Sequence, residues 1–334
     1  MEITKSELEE NLSDLLIQCR MEGDEALDDI FSELIAVSGP EALKDFMKWA
    51  GNTREFELNN IPENLRLLFQ DYSFLPDFAN REQMEAGFRF FKKYVAPIAM
   101  LLGCYSLPYC YMGADGAQVL YFSEKIHQNT TKRLHDTGDF VREMHNPEKW
   151  KNGENFVRAF KVRVMHGLIR TYLKNSPKWD MKWGLPLNQE DKAGTNLAFS
   201  FIVLKGLKKL GFQYREEEAE SYLHTWKVIG YLMGVRKELL VDTMVQAADL
   251  DDKIVERNFK ESETGKYLAK ALIDSSRSVI KIPFLKDIPT AIMREMLGED
   301  YSEKLCIPDM PIQRKLIKYI PFKLLVRNSK VIKA

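Results

Sequence analysis

An all-α fold is predicted by three features of the chain. Apolar residues recur three and four apart through most of its 334 residues, no segment alternates apolar and polar residues as a half-buried strand would, and capping residues precede the periodic runs. Asn80 with Gln83, Asn188 with Asp191, and Ser262 are such caps, and Gly211 ends a run where a helix C-terminus favours a left-handed residue. Neither a glycine-rich phosphate loop nor an internal repeat is visible. At 45% hydrophobic and 11% aromatic residues the chain can bury a substantial core, in one large domain or two fused ones.

Taken in order, the first fifty residues read as helices. Leu8, Leu12, Leu15, Leu16 and Cys19 keep helical spacing, residues 30–35 supply a second apolar face, and Gly39-Pro40 ends one helix and opens the next. Residues 1–60 are therefore expected to form a helical extension that packs on the core and carries no chemistry. From Pro62 the pattern stays helical, with Met84, Phe88, Phe91 and Val95 on one face. Residues 94–114 then hold no charge, a length that could span a bilayer. Pro97, Gly103, Ser106, Pro108 and four tyrosines argue instead for a buried core helix followed by a turn at Leu107-Pro108.

Val119, Phe122 and Ile126, then Leu134 and Phe140, continue the helical pattern through a segment holding His127, His135 and His145. Charged or polar neighbours make all three read as surface histidines. Glu124 and His127 have the spacing of half a di-iron site, but no second Glu-x-x-His completes it. Trp179 to Gly184 reads as a tryptophan-rich loop, followed by a helix from Asp191 towards Gly211. The next helix puts His224 on the face of Val228 and Tyr231, with Gly230 and Gly234 spaced for close approach of another helix. Residues 243–258, 262–275 and 288–297 complete the helical reading.

Charge excludes one class of partner and points to another. Lys+Arg 48 against Asp+Glu 49 leaves a net charge of -1, so no global field draws the chain to nucleic acid. Residues after Asp309 contain seven basic side chains and no acidic one, and setting them aside moves the balance from -1 to -8. Interleaved with Leu316, Ile317, Ile320, Phe322, Leu324, Leu325 and Val326, this tail (311–334) could rest on an anionic membrane surface or dock on the acidic body. Its acidic N-terminus lacks the basic start and apolar run of a secretory signal, and four scattered cysteines without CxxC fit a reducing cytoplasm.

Chemistry concentrates in residues 156–173, FVRAFKVRVMHGLIRTYL. In a helix, Arg163, His166 and Arg170 share one stripe, an imidazole between two guanidiniums with no carboxylate in the segment to neutralise them. A haem would suit this set. Its iron takes a neutral imidazole, and its two propionates are planar anions of the kind arginine forks bind. A histidine beside two surface arginines would give the same spacing. With no CxxCH, any haem would be held noncovalently.

Read together, ordered motifs resemble the haem-dependent oxygenase family that includes the fungal MpaB-type oxygenases and the bacterial latex-clearing proteins (rubber oxygenases). They are LPDF (75–78), CYSLPYCY (104–111), TKRLHDTGDF (131–140), KVRVMHGLIR (161–170), GLPLNQED (184–191), TNLAFSFIVLKGLKKLG (195–211), YLHTWKVIGYLMGV (222–235) and TGKYLAKALI (264–273). The resemblance covers roughly residues 70 to 310, with a catalytic domain at 61–310. It implies a globin-like helical core around haem b, with His166 as proximal iron ligand and Arg163 and Arg170 as the signature arginines. Arg133 and Thr137 match positions that shape the distal pocket, and His224 falls in a family motif as a further cofactor-binding candidate, whether an outer partner of the site, a distal contact or a packed core residue. Two departures stand out: Asp136 occupies the place of a distal lysine, and Gly116-Ala117-Gln118 the place of a proposed glutamate base.

The resemblance implies an oxygenase that uses O2 to cleave or oxidise a C=C bond of an isoprenoid or other lipophilic small molecule. The departures keep open a non-catalytic haem-binding or O2-sensing protein. A purely structural module, with both arginines paired to carboxylates of neighbouring helices, is a third reading.

Overall fold

The structure is a computed structural model that describes residues 5–52, 61–127 and 130–319. Among these residues it is helical throughout, and the sole β-type pairing is an isolated bridge between Gly113 and Phe259. The helices are α1 (Lys5–Cys19), α2 (Glu25–Asn52), α3 (Glu63–Gln70), α4 (Arg81–Lys93), α5 (Val95–Leu101), α6 (Leu107–Tyr111), α7 (Ala117–His127), α8 (Thr130–Met144) and α9 (Pro147–Lys151). After them come α10 (Glu154–Lys174), α11 (Gln189–Phe199), α12 (Phe201–Lys209), α13 (Glu216–Leu232), α14 (Met244–Asn258), α15 (Glu263–Val279), α16 (Ile288–Leu297), α17 (Glu299–Lys304) and α18 (Pro311–Tyr319).

Local signals set most boundaries. Asn80 accepts from the Gln83 N–H at the start of α4, Asn188 from Asp191 at α11, and Ser262 from Gly265 at α15. Gly39 leaves helical geometry at φ 78°, so α2 kinks where Gly-Pro predicts a break. The run predicted as one helix from Asp191 divides at Ser200, where a ψ of -81° separates α11 from α12.

The uncharged stretch corrects a second expectation. No turn forms at Leu107-Pro108; α5 passes into a π-helical turn over Leu102–Ser106 and on into α6. Pro108 has no N–H to offer and its ring crowds the carbonyl four residues back, and the wider π-turn accommodates both. Among the described residues no helix is long and apolar enough to cross a membrane.

Helix α13 lies along α4, and α2 lies along α10, in the two most extensive helix pairings. Leu27, Phe31, Leu43, Met47 and Leu65 of the α2–α3 region bury against Phe160, Val164 and Leu168 of α10. At the C-terminal end of α10, Leu173 packs with Val119 of α7 and Trp179. Helix α10 thus runs between the N-terminal helices and the body of the molecule, and its polar stripe is buried where they meet.

Candidate functional site

The two arginines of the stripe on α10 are drawn inside and meet partners from elsewhere in the chain. Arg163 donates from Nε (2.7 Å) and Nη2 (2.9 Å) to the two carboxylate oxygens of Asp24 and lies 3.9 Å over the Tyr72 ring. Arg170 donates from Nε to Asp28 Oδ1 at 2.7 Å, with Nη2 also within 2.5 Å of that oxygen. Asp24 and Asp28 come from the α1–α2 junction. The forks hold protein carboxylates, the pairing that the structural-module reading describes, and those carboxylates come from the N-terminal region. Charges taken out of water need partners, and the fold supplies them from a segment remote in sequence.

The junction is stitched in from several sides. Gln189 donates to the carbonyls of Gly23 (2.5 Å) and Gly234 (3.0 Å) and accepts from the Arg236 N–H (2.8 Å). Arg20 donates to Asp191 at 2.7 Å and Glu190 at 3.3 Å. Lys192 donates to the Gly234 carbonyl at 3.2 Å and stands 3.7 Å from Asp24. Burial drives the Lys192 ammonium down to about 7, against the pull of Asp24. Burial alone would raise the Asp24 carboxyl, yet the hydrogen bonds from Arg163 and the charge of Lys192 hold it below its ordinary value.

His166 sits between these pairs. Burial, with Lys192 and Arg170 adding like-charge repulsion, lowers its pKa to about 3, so the ring is neutral at physiological pH. Its Nδ1 is buried without a hydrogen-bond partner among the described residues. His166 as a residue is partly exposed, less deeply placed than the two arginines that flank it. A neutral imidazole with an uncommitted ring nitrogen fits the ligand role expected of it. A Cβ at Gly167 would come 2.8 Å from Phe31, so this glycine lets α10 approach α2.

Arg133 lies on α8, which packs against α10, and both its terminal nitrogens are buried without partners among the described residues. Thr137 donates its hydroxyl to the Arg133 carbonyl at 2.8 Å, so its proton is already placed. Asp136 points outward and pairs with Lys132 at 2.6 Å. His224 accepts at Nε2 from the Asn80 N–H at 2.9 Å, tying α13 to the start of α4, which is the packed core post among its expected roles. Burial, then Lys227, lowers its pKa.

Other expectations divide similarly. His135 is exposed as predicted, whereas His145 is buried, stacked on Phe91 at 4.1 Å, with Nδ1 on the Val141 carbonyl at 2.8 Å. Its polar sequence neighbours misled because they lie on other faces at the end of α8. The Glu124 and His127 side chains fall outside the described residues, and so does most of the basic tail. Among the described residues no group of His, Cys, Asp and Glu could hold a metal by itself. Gly230 fits against Asn196 and Leu240, while Gly234 lies beyond α13 at φ 78° against the Arg163–Asp24 pair. Tyr105 and Tyr109 of the uncharged stretch line a polar cavity of about 190 Å³ with Lys205, Lys209 and Asp251.

Fold and stripe together define an all-α protein built round a buried histidine helix. The chain belongs to the family described as ER-bound oxygenase mpaB/B'/rubber oxygenase, catalytic domain, which matches residues 96–327. The rubber oxygenase of Streptomyces sp. (strain K30) is 23% identical over 304 residues, covering 88% of this chain and 73% of that protein. A solved latex clearing protein in the closed state aligns with a TM-score of 0.77 at 21% identity, covering 93% of this chain and 85% of that one.

Proposed function

We propose that this chain is a haem b-dependent oxygenase that uses O2 to cleave or oxidise a C=C bond of an isoprenoid or other lipophilic small molecule. The observation that carries the reading is the neutral His166 imidazole, its Nδ1 without a hydrogen-bond partner among the described residues, set between two arginines on the central helix of an oxygenase-family chain. Bound haem would supply the redox chemistry of oxygen activation. His166 would hold its iron, and the low pKa keeps protons from competing for the ligating nitrogen. Arg133 has donors not already engaged, so it is the group available to a partly negative oxygen of the reactants. Thr137 holds the backbone of that turn through its bond to the Arg133 carbonyl.

Location follows from two further points of the same reading. All four cysteines are free, in keeping with a reducing cytoplasm, and the basic tail supplies peripheral contact with an anionic membrane. Hemin titration tests the cofactor: the expected result is a Soret band at one equivalent, and its absence would end the reading. Oxygen consumption with a polyisoprenoid tests the reaction. The outward-facing Asp136 at the place of the distal lysine favours one alternative, a haem protein without turnover, which would show the band and no oxygen uptake.

A further inference from the structure

The two guanidiniums beside His166 each sit in a small cage built by the α1–α2 junction. Arg163 meets Asp24 through two parallel hydrogen bonds, and a Cβ at Gly234 would collide with both Asp24 Oδ2 and Arg163 Nε. Arg170 meets Asp28, and a Cβ at Gly23 would collide with both Asp28 Oδ2 and Arg170 Nε. Each ion pair is thus pressed against a backbone where a glycine leaves room. Gln189 joins the two cages, because one amide nitrogen donates to the carbonyls of both glycines. Tyr72 closes the open face of Arg163. The Arg163 fork is thus bidentate, stacked and walled by backbone, with Nη1 alone left without a hydrogen-bond partner among the described residues, while Arg170 keeps Nη1 and Nη2 without one.

From this geometry we infer that Asp24 and Asp28 are positioning residues for His166. They clamp the arginines one turn before and one turn after it on α10 and thereby fix the pose of the imidazole. They do not stand in for acidic groups of a bound ligand. Both residues precede the part of the chain that matches the family, residues 96–327, so the junction is a brace supplied from outside that region. The functional consequence rests on the haem reading proposed above, while the mechanical one does not.

The two roles predict changes of opposite sign. If the aspartates only occupy forks that ligand carboxylates take over, Asp24→Asn and Asp28→Asn release the arginines, and hemin binds as well as before or more tightly. A brace predicts the reverse. Losing either carboxylate leaves a buried guanidinium uncompensated and loosens α10, so hemin affinity falls by roughly tenfold or more, as for lost outer partners of a ligating histidine.

The experiment is hemin titration of the full chain, followed at the Soret band, for wild type, Asp24→Asn, Asp28→Asn and Asp28→Glu, with amide hydrogen exchange of α10 measured without hemin. The expected result is weaker binding and faster α10 exchange for both Asn variants, with Asp28→Glu near wild type. An affinity that holds or rises, or α10 amides exchanging at the wild-type rate, overturns the inference. Should Asp24→Asn fail to fold, Asp28→Asn decides, because its carboxylate is partly exposed. A wild type that takes up no hemin overturns the proposed function instead, and the brace is then judged on exchange alone.

Discussion

His145 and His166 both have strongly lowered pKa values, yet they occupy opposite kinds of surroundings. His145 lies among rings, with Phe91 stacked at 4.1 Å, Tyr222 at 5.5 Å and Trp226 at 5.6 Å, and no charged side chain contributes to its low pKa. Burial lowers it to about 4, and the Val141 carbonyl opposes the shift. Each ring keeps one nitrogen without a hydrogen-bond partner among the described residues, Nε2 in His145 and Nδ1 in His166, but His166 stands among Lys192, Arg170 and Asp24. The first environment is that of a packing residue, flat and hydrogen-bonded to its own helix. In the second, charges are kept buried around a group that is left free. Neither a depressed pKa nor an unpartnered ring nitrogen marks the functional histidine, because both rings have each; the charged groups gathered around His166 set it apart.

Substitution breaks the comparison most sharply. His166→Ala should weaken hemin binding by more than about 100-fold, since the ligand itself is lost where outer-shell losses already cost 10- to 100-fold. His145→Ala should leave the Soret titration intact. Equal losses of the band in both variants would erase the distinction. In urea unfolding the order reverses: His145→Ala removes a ring from an aromatic stack and should cost about 3 kcal/mol. A loss below about 1 kcal/mol would mean that His145 is not a packing residue.

Acidity sharpens the comparison next. Both folded-state values lie below the ordinary histidine value of 6.5, so the unfolded chain takes up these protons first and stability falls as pH drops below that value. For His145 the loss runs from 6.5 down to about 4, and for His166 down to about 3. Measured without hemin, His145→Phe should flatten the acid limb by about 1.4 kcal/mol per pH unit between those limits. Hemin should remove the His166 part, because ligation competes with protonation. An unchanged slope in both experiments would contradict the neutral state of the two rings.

The smallest effect belongs to the exposed side of α8. Lys132 and Asp136 form a pair with both side chains more than half exposed, so Lys132→Ala should change stability by less than about 0.5 kcal/mol. A larger change would show that the turn carrying Arg133 depends on its surface as well as its interior.

Much of the fold was legible because its signals are local. Asn80, Asn188 and Ser262 satisfy N–H groups two or three residues away, so a reader of the chain meets donor and acceptor together. The ordered motifs led to the family, and the spacing of Arg163, His166 and Arg170 placed them on one stripe. Less legible was the passage from α5 to α6, since a proline that usually ends a helix is absorbed here by a π-turn. His145 was misplaced because adjacent residues on a helix point to different faces. Asp24 and Asp28 lie at the start of α2 with no local partner to signal that Arg163 and Arg170 will meet them.

Sequence by itself determined that the chain is helical, where several helices begin, and that an imidazole lies between two guanidiniums on one helical stripe. Periodicity and capping act over a turn or two, and any segment carries them with it. Only the tertiary structure decided what those guanidiniums meet. Asp24 lies 139 residues from Arg163 and Asp28 lies 142 from Arg170, and no local rule pairs groups so far apart. Their meeting is set by how α2 packs along α10, where apolar burial brings the helices together and buried charges must find partners.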